Sequence, residues 1–160
     1  MTNKPSSAAR PGETTIGLPP SPDAHLHFIG LIRTPFATLA DCPKNPREGR
    51  VEATVELDPS YAAGLEGIER FSHLILLYWM DEARRDLVRQ TPRHLDGPRG
   101  VFSLRSPLRP NPISLAVVEL LSVDGTRLTV KGIDCRNGTP LIDIKPYFAS
   151  TDSVTEARRG

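Results

Sequence analysis

Residues 100–121 read G-V-F-S-L-R-S-P-L-R-P-N-P-I-S-L-A-V-V-E-L-L. Two apolar, strand-like ends, Val101 to Arg105 and Ile113 to Leu121, are joined by a connector built on Pro107, Pro110 and Pro112. The residue before a proline is pushed toward extended backbone, which here applies to Ser106, Arg109 and Asn111. The prolines themselves offer no N–H to a sheet ladder. The connector is therefore neither a helix nor the middle of a sheet, but a stiff extended strip. Period-two alternation sets Arg105, Pro107, Arg109 and Asn111 on one side of it. Two guanidiniums on a pre-ordered backbone suit a carboxylate or a phosphate. The alternative is a rigid strap whose arginines pair only with local acids.

Outward from the strip, the chain is rich in strand and turn signals. Arg50 to Leu57 alternates cleanly, with Val51, Ala53, Val55 and Leu57 facing inward. His27 to Arg33 and Phe71 to Met80 read as further strands, the second buried on both faces. Asp58-Pro59 pairs an N-cap with a proline at the first helical position, predicting a short helix through Ala63. Asp81 to Gln90 has helical spacing. Asp124-Gly125 predicts a type I′ hairpin, with Arg127 to Cys135 as the return strand, and Asn137-Gly138 predicts a second turn before Leu141 to Ile144. About seven strands with two short helices predict a mainly β fold, a small single-sheet barrel whose closure hides its edges. Residues 1–26, rich in Pro, Ser, Ala and Thr, read as a disordered tail. The barrel domain spans 27–150, and 151–160 is a polar C-terminal tail.

Composition narrows the function classes. The 160 residues suit one domain, with 38% apolar and 24% charged content and a formal net charge of +1. A whole-molecule basic field is thus absent, yet Arg84, Arg85, Arg89, Arg93, Arg99, Arg105 and Arg109 face only Asp86 and Asp96 over their stretch. That is a local basic stripe, or a solvated face followed by a loop. The longest apolar run, Leu74 to Met80, is too short to cross a bilayer. No basic segment precedes an apolar one at the N-terminus, so a cytoplasmic protein without membrane association is expected. Cys42 and Cys135 form neither a disulfide framework nor a metal-ligand spacing, and the histidines are scattered, so no metal is expected. Dinucleotide, P-loop, zincin and nucleophile-elbow motifs are absent. Residue chemistry alone ends at a small β-rich domain carrying an arginine-bearing ligand strip.

Four segments go further. V-F-S-L-R-S-P-L-R-P-N-P-I-S-L resembles the F-A-T-R-S-P-x-R-P-N-P-I-G-L-S motif of the TsaA-like (YaeB/TrmO) family. Gly138 to Tyr147 is similar to its D-G-T-P-V-L-D-I-K-P-Y, Gly64 to Leu74 to its G-L-x-G-[IL]-E-x-F-S-H-L, and Ile29 to Phe36 to its opening I-G-x-I-x-[ST]-P-[FY]. The four stand in family order from Phe28 to Phe148. The resemblance implies a homodimeric β-barrel that binds S-adenosylmethionine without a Rossmann fold. It also implies methylation of N6 of threonylcarbamoyladenosine 37 in the tRNA anticodon loop.

Cofactor contacts implied by the resemblance fall on Pro43, Lys44 and Asn45, on Asp81 and Glu82, on Arg105 and Leu115, and on Asn137, Gly138, Thr139 and Pro140. Three of these places depart from the family pattern. Pro43-Lys44-Asn45 replaces P-R-Q, Asp81-Glu82 replaces His-Gln or His-Glu, and Asn137 replaces the acid of D-G-T-P. For the transfer itself, Asp143 and Asp134 are the candidate proton acceptors. Arg99, Arg109, Asn111 and Lys145 are the candidate substrate contacts, with the arginine stripe on the RNA phosphates. A non-catalytic S-adenosylmethionine-binding module and a small-molecule methyltransferase are the alternatives.

Overall fold

The computed structural model describes residues 8–44 and 51–158. Its strands are β1 (Thr14–Thr15), β2 (Gly30–Arg33), β3 (Glu52–Leu57), β4 (His73–Trp79), β5 (Leu87–Gln90), β6 (Arg99–Gly100), β7 (Ile113–Asp124), β8 (Arg127–Lys131) and β9 (Thr139–Pro146). The chain divides into two units, residues 27–78 with 115–160, and residues 1–26 with 79–114.

The first unit is the expected closed barrel, in the order β2-β3-β8-β7-β4-β9. Its β2–β3, β3–β8, β7–β8, β4–β9 and β9–β2 pairs are antiparallel. The alternation read in β3 holds: Ala53, Val55 and Leu57 are buried, while Val51, just outside the strand, is exposed. Leu74, Leu76 and Tyr78 of β4 join Val118, Leu128, Val130 and Leu141 inside. The other face of β4, Ile75, Leu77 and Trp79, is only half-buried, so this strand is not covered on both sides as its apolar run suggested. A barrel has one packed interior, and an outward side chain has only its surface neighbours for cover.

The hairpin between β7 and β8 forms one residue later than predicted. Asp124 pairs with Arg127, so Gly125 and Thr126 are the loop. Among the described residues only glycines have positive φ, and Gly125 at +58° with a negative φ after it follows a type II′ rather than a type I′ pattern. A bulge between Leu120 and Ser122 then shifts the β7–β8 register by one residue farther from the turn. Asp58 does cap the next element, its carboxylate accepting Ser60 N at 2.8 Å, but Pro59–Leu65 is a 3-10 helix.

The second unit departs more from expectation. Asp81 to Gln90 is not a helix. Ala83 N donates to Met80 O in a turn, Arg84 and Asp86 pair at 2.8 Å, and β5 follows. β5 is held between β1 and β6, and that pairing overrides the local helical spacing. Thr14–Thr15 thus belongs to a sheet, although its surroundings read as tail. What fixes it is Glu13, whose side chain is only 2% exposed. Its carboxylate accepts Arg10 N at 2.9 Å, the Arg10 guanidinium at 2.8 Å and Thr91 N at 3.3 Å. Burial pushes this carboxyl up, but the donors from Arg10 and Thr91 outweigh it and hold it below its ordinary value.

The sign for pH follows from that depression. The stabilisation is complete above the ordinary glutamate value, about pH 4, and is lost as pH falls through the lower folded value. Protection of the Thr91 amide from hydrogen exchange should therefore drop below about pH 4, ahead of Val130 in the barrel. Equal protection of Thr91 at about pH 6 and about pH 3 would contradict the clamp.

Candidate functional site

In the barrel unit, the expected site residues Asn137 to Pro140 form the turn that enters β9 beside the end of β2. Gly138 N donates to Ile32 O at 2.8 Å and Asn137 N to Phe36 O at 2.8 Å. Thr34 answers from the other side: its N–H donates to Asn137 Oδ1 at 3.3 Å and its hydroxyl to Cys135 O at 3.0 Å. Gly138 takes φ +80°, the third position of a turn closed by Thr139 N on Arg136 O at 3.3 Å. The Thr139 hydroxyl donates to the same carbonyl at 2.7 Å, and Thr139 is buried. The backbone N–H groups of Asn137, Gly138 and Thr139 are thus spent on building the turn.

Asn137, where the family pattern has an acid, accepts a backbone N–H from Thr34 through its side-chain oxygen. An aspartate would accept there too, so the substitution keeps the local geometry and removes only the charge. Leu115 is half-exposed on the outer side of β7, in a row with Val117 and Leu121. Pro43 and Lys44 follow Asp41, whose carboxylate accepts the Thr38 N–H and hydroxyl, each at 2.8 Å. Hydrogen bonding from Thr38 holds that exposed carboxyl below its ordinary value. Asn45 lies outside the described residues.

The two candidate proton acceptors differ. Asp134 accepts the hydroxyl of Tyr78, a barrel-interior residue, at 2.7 Å. Asp143 has both carboxylate oxygens engaged, one by Ile144 N at 2.9 Å and the other by Lys145 Nζ at 2.8 Å. The Lys145 ammonium is correspondingly held above its ordinary value by the Asp143 carboxylate. Neither thiol is poised as a nucleophile. Burial pushes Cys135 up to about 12, and burial followed by the carboxylates of Asp134 and Asp41 raises Cys42. A shallow depression lined by Phe28, Gly30, Leu31, Glu56, Leu57 and Asp58 includes none of the expected site residues.

In the second unit the arginine strip has a structure its sequence did not announce. Val101–Ser103 is a 3-10 turn, not a strand. Arg109 accounts for this: its guanidinium donates to Ser106 O at 2.7 Å, to Val101 O at 3.0 Å and to Leu104 O. Gathering the carbonyls of Val101, Leu104 and Ser106 onto one guanidinium holds this stretch in a turn instead of an extended strand. Arg109 is therefore a strap, with main-chain carbonyls rather than acids as partners. Arg85 braces the far end of the strip, donating to Pro110 O at 2.7 Å and to Asn111 Oδ1 at 3.4 Å. Its guanidinium carbon lies 5.2 Å from the Trp79 ring centroid, a cation–π contact.

Asp81, Glu82, Arg99, Arg105 and Asn111 are all exposed in this unit, and Arg99 donates to Pro98 O at 3.0 Å. Sequence reading missed the bracing roles of Thr34, Tyr78 and Arg85. Their bracing hydrogen bonds reach partners at least 25 residues away, beyond any local spacing signal. Among the described residues, no group of three or more His, Cys, Asp or Glu side chains could hold a metal ion, and no helix is long and apolar enough to cross a membrane.

Known proteins resemble this chain in sequence and in fold. A probable S-adenosyl-L-methionine-binding protein, VirR of Rhizobium radiobacter, is 42% identical over 96% of this chain and 88% of its own length. An S-adenosyl-L-methionine-binding protein of Archaeoglobus fulgidus is 44% identical over 80% of this chain and 92% of its own. The crystal structure of TrmO from Pseudomonas aeruginosa superposes with a TM-score of 0.71 at 37% identity, covering 86% of this chain. The chain spans 61% of that protein, and 37% of a second, longer Archaeoglobus fulgidus relative, a probable S-adenosyl-L-methionine-binding protein. The family model described as the tRNA-methyltransferase O N-terminal domain matches residues 31–153. With most of its length matched, barrel and turn included, this chain belongs to the tRNA-methyltransferase O N-terminal domain family.

Proposed function

We propose that this chain binds S-adenosylmethionine and methylates N6 of threonylcarbamoyladenosine 37 in tRNA. The observation that carries the reading is the family match over residues 31–153, together with relatives named for S-adenosylmethionine binding. Residue chemistry fits the cofactor. Arg105 suits its carboxylate, Asp81 and Glu82 suit its ammonium and ribose hydroxyls, and the half-exposed Leu115 suits an apolar ring face. In the barrel unit, Pro43, Lys44, Asn45 and the Asn137–Pro140 turn are further proposed contacts. The turn would offer shape and carbonyl oxygens, because its N–H donors already hold it together.

The cofactor supplies a methyl group already activated by its sulfonium. The chain's own residues then have to orient the acceptor nitrogen and take its proton. We assign the proton to Asp134, which Tyr78 orients, rather than to Asp143, whose two oxygens are already engaged. Exposed Arg89, Arg93 and Arg99 are proposed to meet RNA phosphates, with Asn111 and Lys145 as further substrate contacts. Val117 and Leu121, exposed on the outer side of β7, are the proposed homodimer face.

Calorimetry with S-adenosylmethionine, followed by mass spectrometry of nucleosides from treated tRNA, tests this. Micromolar binding with one methyl gained on threonylcarbamoyladenosine is expected. Binding without transfer would favour a cofactor-binding module, the activity in the names of the relatives. Absence of binding would end both readings. RNA affinity should also fall steeply with salt, and a flat response would remove the phosphate assignment.

A further inference from the structure

We propose that Phe102 is a stacking platform for an unpaired base of the RNA substrate. This rests on the reading that the chain acts on RNA and adds a residue to it. Phe102 is 80% exposed, more than any other exposed large hydrophobic side chain among the described residues. Its neighbour Val101 is fully buried, so the turn is anchored on one side and turns the ring outward on the other. The backbone around the ring is closed. Leu104 N donates to Val101 O at 3.2 Å, Ser103 Oγ to Gly100 O at 2.8 Å, and Arg109 binds the carbonyls of both Val101 and Leu104. A backbone fixed in this way has little freedom left to lose when a flat partner lands on the ring.

The surroundings select the partner. From Gly97 to Arg109 there is no acidic residue, while Arg99 and Arg105 flank Phe102 in sequence and are exposed. Arg89, also exposed, stands opposite Gly100 in the β5–β6 register. The exposed residues nearest in the chain are Gly100 and Ser103, neither of which carries an apolar side chain. A protein interface would bring an apolar core around such a ring. An exposed aromatic flanked by exposed arginines is the arrangement that stacks a splayed base while the cations hold the backbone.

The test uses the full chain and a fluorescent tRNA anticodon stem-loop, with anisotropy as the readout. Phe102→Ala is expected to weaken binding about 10-fold, within the range of one lost base stack. Phe102→Trp should retain affinity, and the slope of log affinity on log salt should not change for either variant. Arg99→Ala should reduce that slope by about one. If the wild-type chain does not bind the stem-loop, the RNA reading and this inference both fail. If it binds and Phe102→Ala binds equally well, this inference fails alone. Phe102→Ala that instead weakens S-adenosylmethionine binding, or lowers the sedimenting mass, would reassign the ring to the cofactor or to a second copy and overturn the proposal.

Discussion

Gly30→Ala should destabilise the barrel by about 3 kcal/mol or more, at the upper end of overpacking costs. A Cβ at this position would lie 2.1 Å from the carbonyl oxygen of Glu56 and 2.9 Å from the Cα of Leu57. Both are main-chain atoms of β3, directly across the ladder from Gly30, and neither can rotate away. Relief requires β2 and β3 to separate, at the point where Ile29 N also bonds Leu141 O at 2.9 Å and Asp58 N bonds Ile29 O at 3.0 Å. Chemical denaturation would show the midpoint falling with little change in slope. Gly64→Ala, where a Cβ meets nothing within 4 Å, is the control and should sit near wild type. A midpoint for Gly30→Ala matching that of Gly64→Ala would disprove the close approach.

Arg109→Ala is expected to cost about 2–3 kcal/mol, because three carbonyls lose a charged donor at once. Arg109→Lys should recover only part of this, since an ammonium lacks the planar fork that reaches several carbonyls together. The same variants separate the strap from a phosphate contact. A strap predicts lower stability of the 79–114 unit with the salt slope of RNA binding unchanged. A slope reduced by about one, with stability intact, would make Arg109 a phosphate ligand. Loosening of the Val101–Ser103 turn should also lower the RNA affinity that Phe102 supports.

Taken together, these two sites show why some features were legible and others were not. The alternation in β3 and the D-G hairpin signal are local, and the barrel strands they announced are present. The helix expected over Asp81 to Gln90 was equally local in its signal, yet β1 and β6 captured its second half as a strand. Backbone groups go where their hydrogen bonds can all be satisfied, and for residues 87–90 two neighbouring strands offered that. The pairing of Thr14–Thr15 was hidden for the same reason, because its anchor, Glu13, reaches Thr91 across 78 positions.

By itself the sequence determined the strand-rich class, the rigid proline strip and, through four ordered motifs, the family. Only the tertiary structure decided which acceptors Arg109 meets. Arg109 was one of two guanidiniums offered to an anion, and it instead turns onto the carbonyls of Val101, Leu104 and Ser106. Prolines left that loop short of N–H donors for a ladder, and a guanidinium with five donors reaches three of its carbonyls instead. Composition can place a charge on a strip, but which acceptors lie within hydrogen-bond reach of it is fixed only when the chain has folded.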